Sequence, residues 1–210
     1  MNKPSLLFFR HGNTFEADEQ AVWIGASSNP ALTAEGEAQA DAAARYIENN
    51  FAPLEEITAG PLVRTVRFAE IVADKLNQNF AIDDRLREID YGFWEGLNKA
   101  DIVQRYGVQL LEQWEQRGQW PEGMGWLPQP ADLQNSLGDF LAEQHKKLTS
   151  GSSTRMAVTS NGILRTIYNL ITGKTAGVEA KVKTGNVCVL EPEERGWRIV
   201  MWNKKPDQVL

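Results

Sequence analysis

The chain has 210 residues, of which 42% are hydrophobic and 24% are charged, and these proportions predict a single globular domain over residues 1–210 with one substantial core. A formal net charge of −6 argues against broad nucleic-acid binding, so an anionic ligand would need locally concentrated arginines. The one cysteine, Cys188, excludes an internal disulfide, and with no recognisable leader or long apolar run we expect a cytoplasmic protein that does not enter membranes.

The first predicted strand, residues 5–9, is an apolar run that ends at Arg10, His11 and Gly12. Such a run indicates a strand that is buried on both faces. In open α/β sheets, ligands bind beyond the carboxyl ends of the strands. A neutral imidazole is a competent nucleophile towards phosphorus, and the planar guanidinium of Arg10 suits phosphate oxygens. The tripeptide therefore marks a candidate phosphate site.

Predicted strands and helices alternate along the rest of the chain. Thr33 suits the N-cap of an alanine-rich helix, and Pro61 suits the first turn of the next helix, which carries Arg64. Residues 15–31 and 86–131 are predicted as loop or lid insertions. The assignments are strands 57–59, 80–82 and 156–159, helices 34–50, 61–75, 98–117 (with a soft break at 106–107), 132–148 and 163–171, and a closing hairpin of strands 187–190 and 197–202. This alternation predicts an α/β fold, a three-layer α/β/α sandwich with a mostly parallel sheet.

Four spaced motifs in the first half of the chain agree in order with one known family. They are Arg10-His11-Gly12, Leu32-Thr33 with Gly36, Pro61-Leu62 with Arg64-Thr65, and Leu86-Arg87-Glu88 with Gly92 and Trp94-Glu95-Gly96. Together they resemble the histidine phosphatase superfamily, in the branch that contains cofactor-dependent phosphoglycerate mutase and small-metabolite phosphatases. The resemblance covers residues 5–100 closely and the remainder more loosely.

The resemblance implies a role for each of four side chains. His11 would attack phosphorus and carry the phosphoryl group, while Arg10 and Arg64 would hold the equatorial oxygens. Glu88 would protonate the leaving oxygen and then activate water. No metal or other cofactor is expected, because the arginines supply the positive charge. The alternative interpretations are a solvated loop carboxylate at Glu88, and a helix cap or surface ion pair at Arg64.

One departure from the family pattern follows the last predicted parallel strand. The family has a second histidine in a Ser-His-Gly pattern, whereas this chain has Ser160-Asn161-Gly162. Alignment on the flanking residues places Ser160 at the histidine, and alignment on the local pattern places Asn161 there. We expect all three residues to bind phosphate through neutral hydrogen bonds and backbone amides. The other histidine, His145, is predicted to be exposed and too far upstream to substitute.

The substrate-facing positions also differ from the family pattern. The asparagine expected six residues after His11 is Ala17, and Asn13 is the candidate replacement for phosphate binding. Tyr91 and Lys99 resemble mutase residues that contact the carboxylate end of the substrate, and we expect them to bind substrate here. The mutase arginines are missing at Ile89 and at Glu115-Gln116. With fewer basic groups to retain a bisphosphorylated species, water is the expected phosphoryl acceptor.

The leading prediction is a metal-independent phosphomonoesterase that acts on a small phosphorylated metabolite through phosphorylated His11. The alternative, based on the absent second histidine, is a weak or inactive relative that binds a phosphorylated ligand or a protein partner. A phosphoglycerate mutase is the third. We expect no nucleic-acid or membrane partner, and the edge strand of the closing hairpin leaves a homodimer open.

Overall fold

The computed structural model describes residues 3–151 and 153–208. These ranges contain six strands, β1 (Leu6–Arg10), β2 (Leu54–Ala59), β3 (Phe80–Ile82), β4 (Thr154–Thr159), β5 (Val187–Pro192) and β6 (Trp197–Lys204), and six helices, α1 (Ala34–Asn50), α2 (Val63–Leu76), α3 (Lys99–Tyr106), α4 (Val108–Arg117), α5 (Pro130–Ser150) and α6 (Asn161–Thr172). Short 3₁₀ turns occupy Asp84–Leu86, Gly92–Trp94 and Pro206–Gln208.

The six strands form one mixed sheet in the order β3-β2-β4-β1-β5-β6. Strands β3, β2, β4 and β1 run parallel, whereas β5 pairs antiparallel with β1, and β6 pairs antiparallel with β5. The mostly parallel sheet is therefore confirmed, and the closing hairpin supplies its antiparallel part. The carboxyl ends of β2, β4 and β1 meet at one edge, where Arg10 pairs in register with Thr159 and Ala59 pairs with Val158.

Helices cover both faces of this sheet. Successive side chains of a strand point to opposite faces. Leu7 and Phe9 of β1 accordingly pack with buried residues of α1 and α2, whereas Leu6 and Phe8 pack with those of α5 and α6. Both clusters consist of almost fully buried side chains. This arrangement confirms the predicted three-layer sandwich.

Several element boundaries differ from the sequence-based assignments. Strand β2 begins at Leu54, before the predicted residue 57, and Pro61 precedes α2 instead of lying in its first turn. Helix α6 begins at Asn161, two residues earlier than predicted, with Ser160 as its N-cap. Glycine disfavours helix, so Gly162 obscured that start. The earlier start places Asn161 and Gly162 in the first turn of a helix that directly follows β4.

The predicted insertions differ in structure. Residues 15–31 contain neither helix nor strand, whereas residues 86–131 contain α3 and α4, separated at Gly107 by a backbone φ of +87°. Tryptophan side chains pack the second insertion against the core. The buried Trp94 and Trp126 lie edge-to-face with their ring centroids 5.0 Å apart. Trp23 of the first insertion meets the Trp94 ring edge-on at 4.9 Å. The two insertions are therefore packed against each other beside the carboxyl ends of the parallel strands.

Candidate active site

The predicted phosphate-binding residues converge at the carboxyl edge of the sheet. The backbone amide of His11 donates to the Thr159 carbonyl over 3.0 Å, which ties the end of β1 to the end of β4. On the other side of β4, the Gly60 amide donates to the Val158 carbonyl over 2.9 Å. Arg64 follows in the first turn of α2. Parallel pairing therefore brings together segments that are far apart in the chain.

The hydrogen bonds of His11 define its tautomer. Arg64 Nε lies 3.2 Å from His11 Nε2, and a guanidinium nitrogen can only donate, so Nε2 carries a lone pair. Nδ1 lies 2.8 Å from the Gly12 carbonyl oxygen and therefore carries the proton. Burial, followed by the charges of Arg64 and Arg10, holds the pKa of His11 well below its ordinary value. His11 is thus a neutral imidazole with a lone pair on Nε2 near neutral pH.

Both predicted phosphate-binding arginines are anchored by backbone carbonyls. Arg64, only 1% exposed, donates from Nη1 to Ser28 and from Nη2 to Gly25, both over 3.0 Å. Arg10 donates from Nη1 to the Val182 carbonyl over 2.7 Å, while its buried Nε has no hydrogen-bond partner within residues 3–151 and 153–208. Burial lowers the pKa of each guanidinium, and the nearby Glu88 opposes that shift. Two rigidly held cations therefore flank His11.

Glu88 is a buried carboxyl beside these cations, not a solvated loop acid. Its Oε1 accepts from the Ile89 amide over 3.0 Å, and its Oε2 accepts from the Gly162 amide over 3.2 Å. The Tyr91 hydroxyl also hydrogen-bonds to it. Burial raises the pKa of Glu88, against the opposing charge of Arg64. The raised pKa favours the protonated form that a general acid requires.

The two side chains at the position of the family's second histidine have different surroundings. Ser160 is fully buried, and its Oγ has no hydrogen-bond partner among the described residues. Asn161 Oδ1 instead accepts from the backbone amide of Val182 over 2.9 Å. The Val182 carbonyl holds Arg10, so one residue of the loop before β5 links Asn161 to that arginine. The side-chain carbonyl oxygen of Asn161 is thus already used to hold the loop before β5.

His145 does not replace the missing imidazole. It lies on α5, where Nε2 donates to the Glu193 carbonyl over 2.8 Å and the ring meets Trp197 edge-on. Glu193 follows β5, whose Leu190 pairs with Leu6 at the amino end of β1. His145 is therefore at the opposite end of the sheet from His11.

Asn13 belongs to a network that sequence reasoning did not find. Its Oδ1 accepts from the Thr184 hydroxyl and from Gln39 Nε2, and its backbone amide donates to Gln39 Oε1 over 2.9 Å. Gly185, next to Thr184, donates its amide to the carbonyls of both Arg10 and His11. No sequence motif indicated Thr184, because it lies in an irregular segment. The network fixes the loop before β5 against the end of β1.

A cavity of about 300 Å³ opens in front of His11. It is lined by Arg10, His11, Asn13, Thr14, Phe15, Ala21, Val22, Ile24, Arg64, Glu88 and Thr184. Larger cavities of about 530 and 630 Å³ lie beside α4 to α6 and beside the 120–130 loop, away from His11. The smaller cavity is the candidate active site because the polar groups converge there.

The two residues predicted to contact the substrate carboxylate are not among the cavity-lining side chains. Tyr91 is buried behind Glu88, and burial raises its pKa well above the ordinary value. Lys99 is largely exposed and pairs with Glu115, with Nζ and Oε1 2.7 Å apart. The packing of the second insertion sets both placements.

Two features are absent from residues 3–151 and 153–208. No group of three or more histidine, cysteine or carboxylate side chains there could hold a metal ion. No helix there has both the length and the apolar character needed to cross a membrane.

Comparison with known proteins identifies the family. The model of the histidine phosphatase superfamily (branch 1) matches residues 6–205. A 2,3-bisphosphoglycerate-dependent phosphoglycerate mutase of Caulobacter vibrioides is 24% identical over 215 residues, which cover 99% of this chain and 84% of the relative.

Solved structures share the fold. Mycobacterial glucosyl-3-phosphoglycerate phosphatase matches with a TM-score of 0.78 at 21% identity, over 95% of this chain and 98% of that one. A protein called Mycobacterial hydrolase 1 matches with a TM-score of 0.81 at 20% identity, over 97% and 100% of the two chains. Since the family model spans nearly the whole sequence, as the motifs predicted, the chain belongs to branch 1 of the histidine phosphatase superfamily.

Proposed function

We propose that this protein is a phosphomonoesterase that hydrolyses a small phosphorylated metabolite through a phosphohistidine on His11, without a metal ion. The observation that carries the proposal is the neutral His11, whose Nε2 lone pair faces a buried arginine. Two buried donors without protein partners support it. Unpartnered buried polar atoms are rare, and Arg10 Nε and Ser160 Oγ both belong to predicted phosphate-binding residues.

In the first step, His11 Nε2 attacks phosphorus and the bond from phosphorus to the ester oxygen breaks. The proton stays on Nδ1, which donates to the Gly12 carbonyl, and this hydrogen bond keeps the attacking tautomer. Arg10 and Arg64 neutralise charge on the phosphoryl oxygens in the transition state. Protonated Glu88 gives its proton to the departing alkoxide, which leaves as the alcohol.

In the second step, water attacks the phosphohistidine. Glu88, now a carboxylate, takes a proton from that water as the bond from Nε2 to phosphorus breaks. Inorganic phosphate leaves, and both His11 and Glu88 return to their starting protonation states. One buried carboxyl with a raised pKa therefore serves as acid and then as base.

Relatives with named activities agree with this reaction class. One solved neighbour is a glucosyl-3-phosphoglycerate phosphatase, and one sequence relative is a phosphoglycerate mutase. Among the side chains lining the present cavity, Arg10 and Arg64 are the cations, and both flank His11. A phosphatase needs only those charges, whereas a mutase must also retain a bisphosphorylated intermediate. This charge distribution favours hydrolysis.

The test is phosphate release from p-nitrophenyl phosphate and a panel of sugar and glycerate phosphates, with acid-labile phosphate on the protein measured in parallel. We expect turnover and labelling in the parent and neither in His11→Ala. His145→Ala is the matched control, because it removes the other histidine at the far end of the sheet. Equal phosphate release by the parent and His11→Ala would refute the proposal.

A second candidate is a weak or inactive relative that binds a phosphorylated ligand. The observation that favours it is the absence of a charged donor at Ser160 and Asn161. Loss of one such donor costs on the order of 10²–10³ in rate. Ser160→His and Asn161→His separate the two candidates. An inert parent that gains turnover in either variant would be a binder, whereas an active parent would dispose of that candidate.

A further inference from the structure

One part of the cavity wall is apolar. Phe15, Val22 and Ile24 line it, and all three are half-buried. They come from one loop, residues 15–31, which faces the phosphate-binding residues. The part of a substrate beyond its phosphate would therefore lie against hydrocarbon.

Trp23, the residue between Val22 and Ile24, holds this apolar wall in place. The Trp23 amide donates to the Leu97 carbonyl, and the Trp23 carbonyl accepts from the Gly96 amide, both over 2.9 Å. Its ring packs edge-on against Trp94 and Tyr91. Trp23 thus anchors the loop in the aromatic core while its two neighbours line the cavity. The apolar wall is therefore a fixed part of the cavity.

The tip of the same loop is acidic. Glu16, Asp18 and Glu19 are exposed and lie between the cavity-lining Phe15 and Ala21 in the chain. A turn in which the Glu16 amide donates to Glu19 Oε2 shapes this tip. None of the ion pairs formed by the described residues involves these three carboxylates. Three carboxylates outside these ion pairs therefore lie in the loop segment between two cavity-lining residues, Phe15 and Ala21.

No lysine of the described residues is among the side chains that line the cavity. Lys99 is engaged by Glu115. The charge of Lys181 interacts with that of Arg10. Burial lowers the pKa of Lys181, and the charges of Lys99 and Arg10 add to that shift. Its side chain does not line the cavity, however. Among the described residues that line the cavity, the cations are Arg10 and Arg64, so a second anionic group beyond the phosphate would meet no further cation in the lining.

We propose that the substrate is a phosphate monoester whose alcohol part is apolar and bears no second anionic group. This rests on the phosphomonoesterase function proposed above. Apolar contact with the wall favours such an alcohol by about 25 cal/mol for each Å² that it removes from water. Repulsion from the acidic tip disfavours carboxylates and second phosphates, and does so less at high salt.

The test compares two esters with phenols of similar acidity: 4-ethylphenyl phosphate and 4-(carboxymethyl)phenyl phosphate. We expect kcat/KM for the ethyl ester to exceed that for the carboxymethyl ester by roughly tenfold at low ionic strength, since three nearby charges act on the carboxylate. The difference should shrink at high salt. Equal values, or a preference for the carboxymethyl ester, would overturn the proposal.

Two variants separate the contributions of charge and apolar contact. The triple change Glu16→Gln, Asp18→Asn and Glu19→Gln should raise kcat/KM for the carboxymethyl ester alone. The pair Val22→Ser and Ile24→Ser should lower it for the ethyl ester alone. Glu194→Gln, on the exposed turn between β5 and β6, is the matched control and should change neither value.

Binding measurements distinguish a failure of this proposal from a failure of the proposed reaction. Calorimetric titration of both esters into His11→Ala protein measures their affinities without turnover. If the parent releases no phosphate but binds the ethyl ester more tightly, the substrate class holds and the reaction fails. If the carboxymethyl ester binds more tightly and Lys181→Ala abolishes that preference, Lys181 recruits a second anion and the proposal is wrong.

Discussion

Gly162 offers a way to displace Glu88 without altering its chemistry. A Cβ at Gly162 would lie 2.5 Å from Glu88 Oε1, 2.6 Å from the Tyr91 hydroxyl and 2.7 Å from Ile89 Cδ1. Ordinary contacts at such a carbon begin at 3.4 Å. Gly162→Ala must therefore push the carboxyl back by roughly 1 Å, a displacement that costs on the order of 10² in rate when it moves a catalytic group.

The size of the effect should depend on the leaving group. For phenyl phosphate, whose leaving oxygen needs a proton, we expect the phosphorylation rate to fall about 10²-fold. For p-nitrophenyl phosphate, whose leaving group is stable as an anion, the fall should be less than about tenfold, because general acid catalysis contributes little. Rapid-quench measurement of phosphorylated His11 in a single turnover gives both rates.

Gly138→Ala is the control for this experiment. Gly138 lies within α5, and an added Cβ there meets nothing within 4 Å. It should leave both rates unchanged and raise the free energy of unfolding by about 0.5–1 kcal/mol, because alanine favours helix over glycine. If Gly162→Ala melts as a folded protein yet hydrolyses both esters at parental rates, Glu88 is not the acid. If both rates fall equally, the substitution has impaired phosphate binding and not proton donation by Glu88.

Three further outcomes follow from the buried groups. Burial raises the pKa of Glu88, so this carboxyl keeps its proton to higher pH than an ordinary carboxyl does. Turnover of phenyl phosphate should therefore fall as pH rises through that pKa. In a pH–rate profile, Glu88→Gln should turn over more slowly than the parent and should not show this fall. Arg10→Lys replaces a planar donor group with a point charge and loses the bond to Val182, so steady-state kinetics should show KM raised roughly tenfold. Burial raises the pKa of Cys188 to about 12, so mass spectrometry should detect its modification by a thiol reagent only after urea unfolds the chain.

The parts of the site that could be predicted are those encoded by local sequence. The apolar run before Arg10 has one physical interpretation, a buried strand, and the side chains that follow such a strand lie at the ligand-binding edge. Thr33 caps α1 as predicted, with its side chain accepting from the Gly36 amide. Arg64 follows β2 at that same edge. These inferences need only the chain neighbours of each residue and the pairing of parallel strands.

The parts that could not be predicted depend on where irregular segments pack. Tyr91 and Lys99 stand in a motif that indicated substrate contact, yet the tryptophan packing of residues 86–131 turns one into the core and leaves the other exposed. Thr184 lies in a segment with no periodicity, and only its hydrogen bond to Asn13 identifies it. No periodicity encodes such contacts, because they join residues far apart in the chain.

Under the alignment that places Asn161 at the family's second histidine, the two side chains would act on the site in different ways. An imidazolium at that place would donate to phosphate directly. An asparagine carbonyl accepts instead, and Asn161 uses it to hold the Val182 amide. Because the Val182 carbonyl in turn holds Arg10, Asn161 would under that alignment support a charged donor instead of being one. With Arg10 and Arg64 as the cations that line the cavity, we expect the site to suit hydrolysis of a monophosphate better than retention of a bisphosphate.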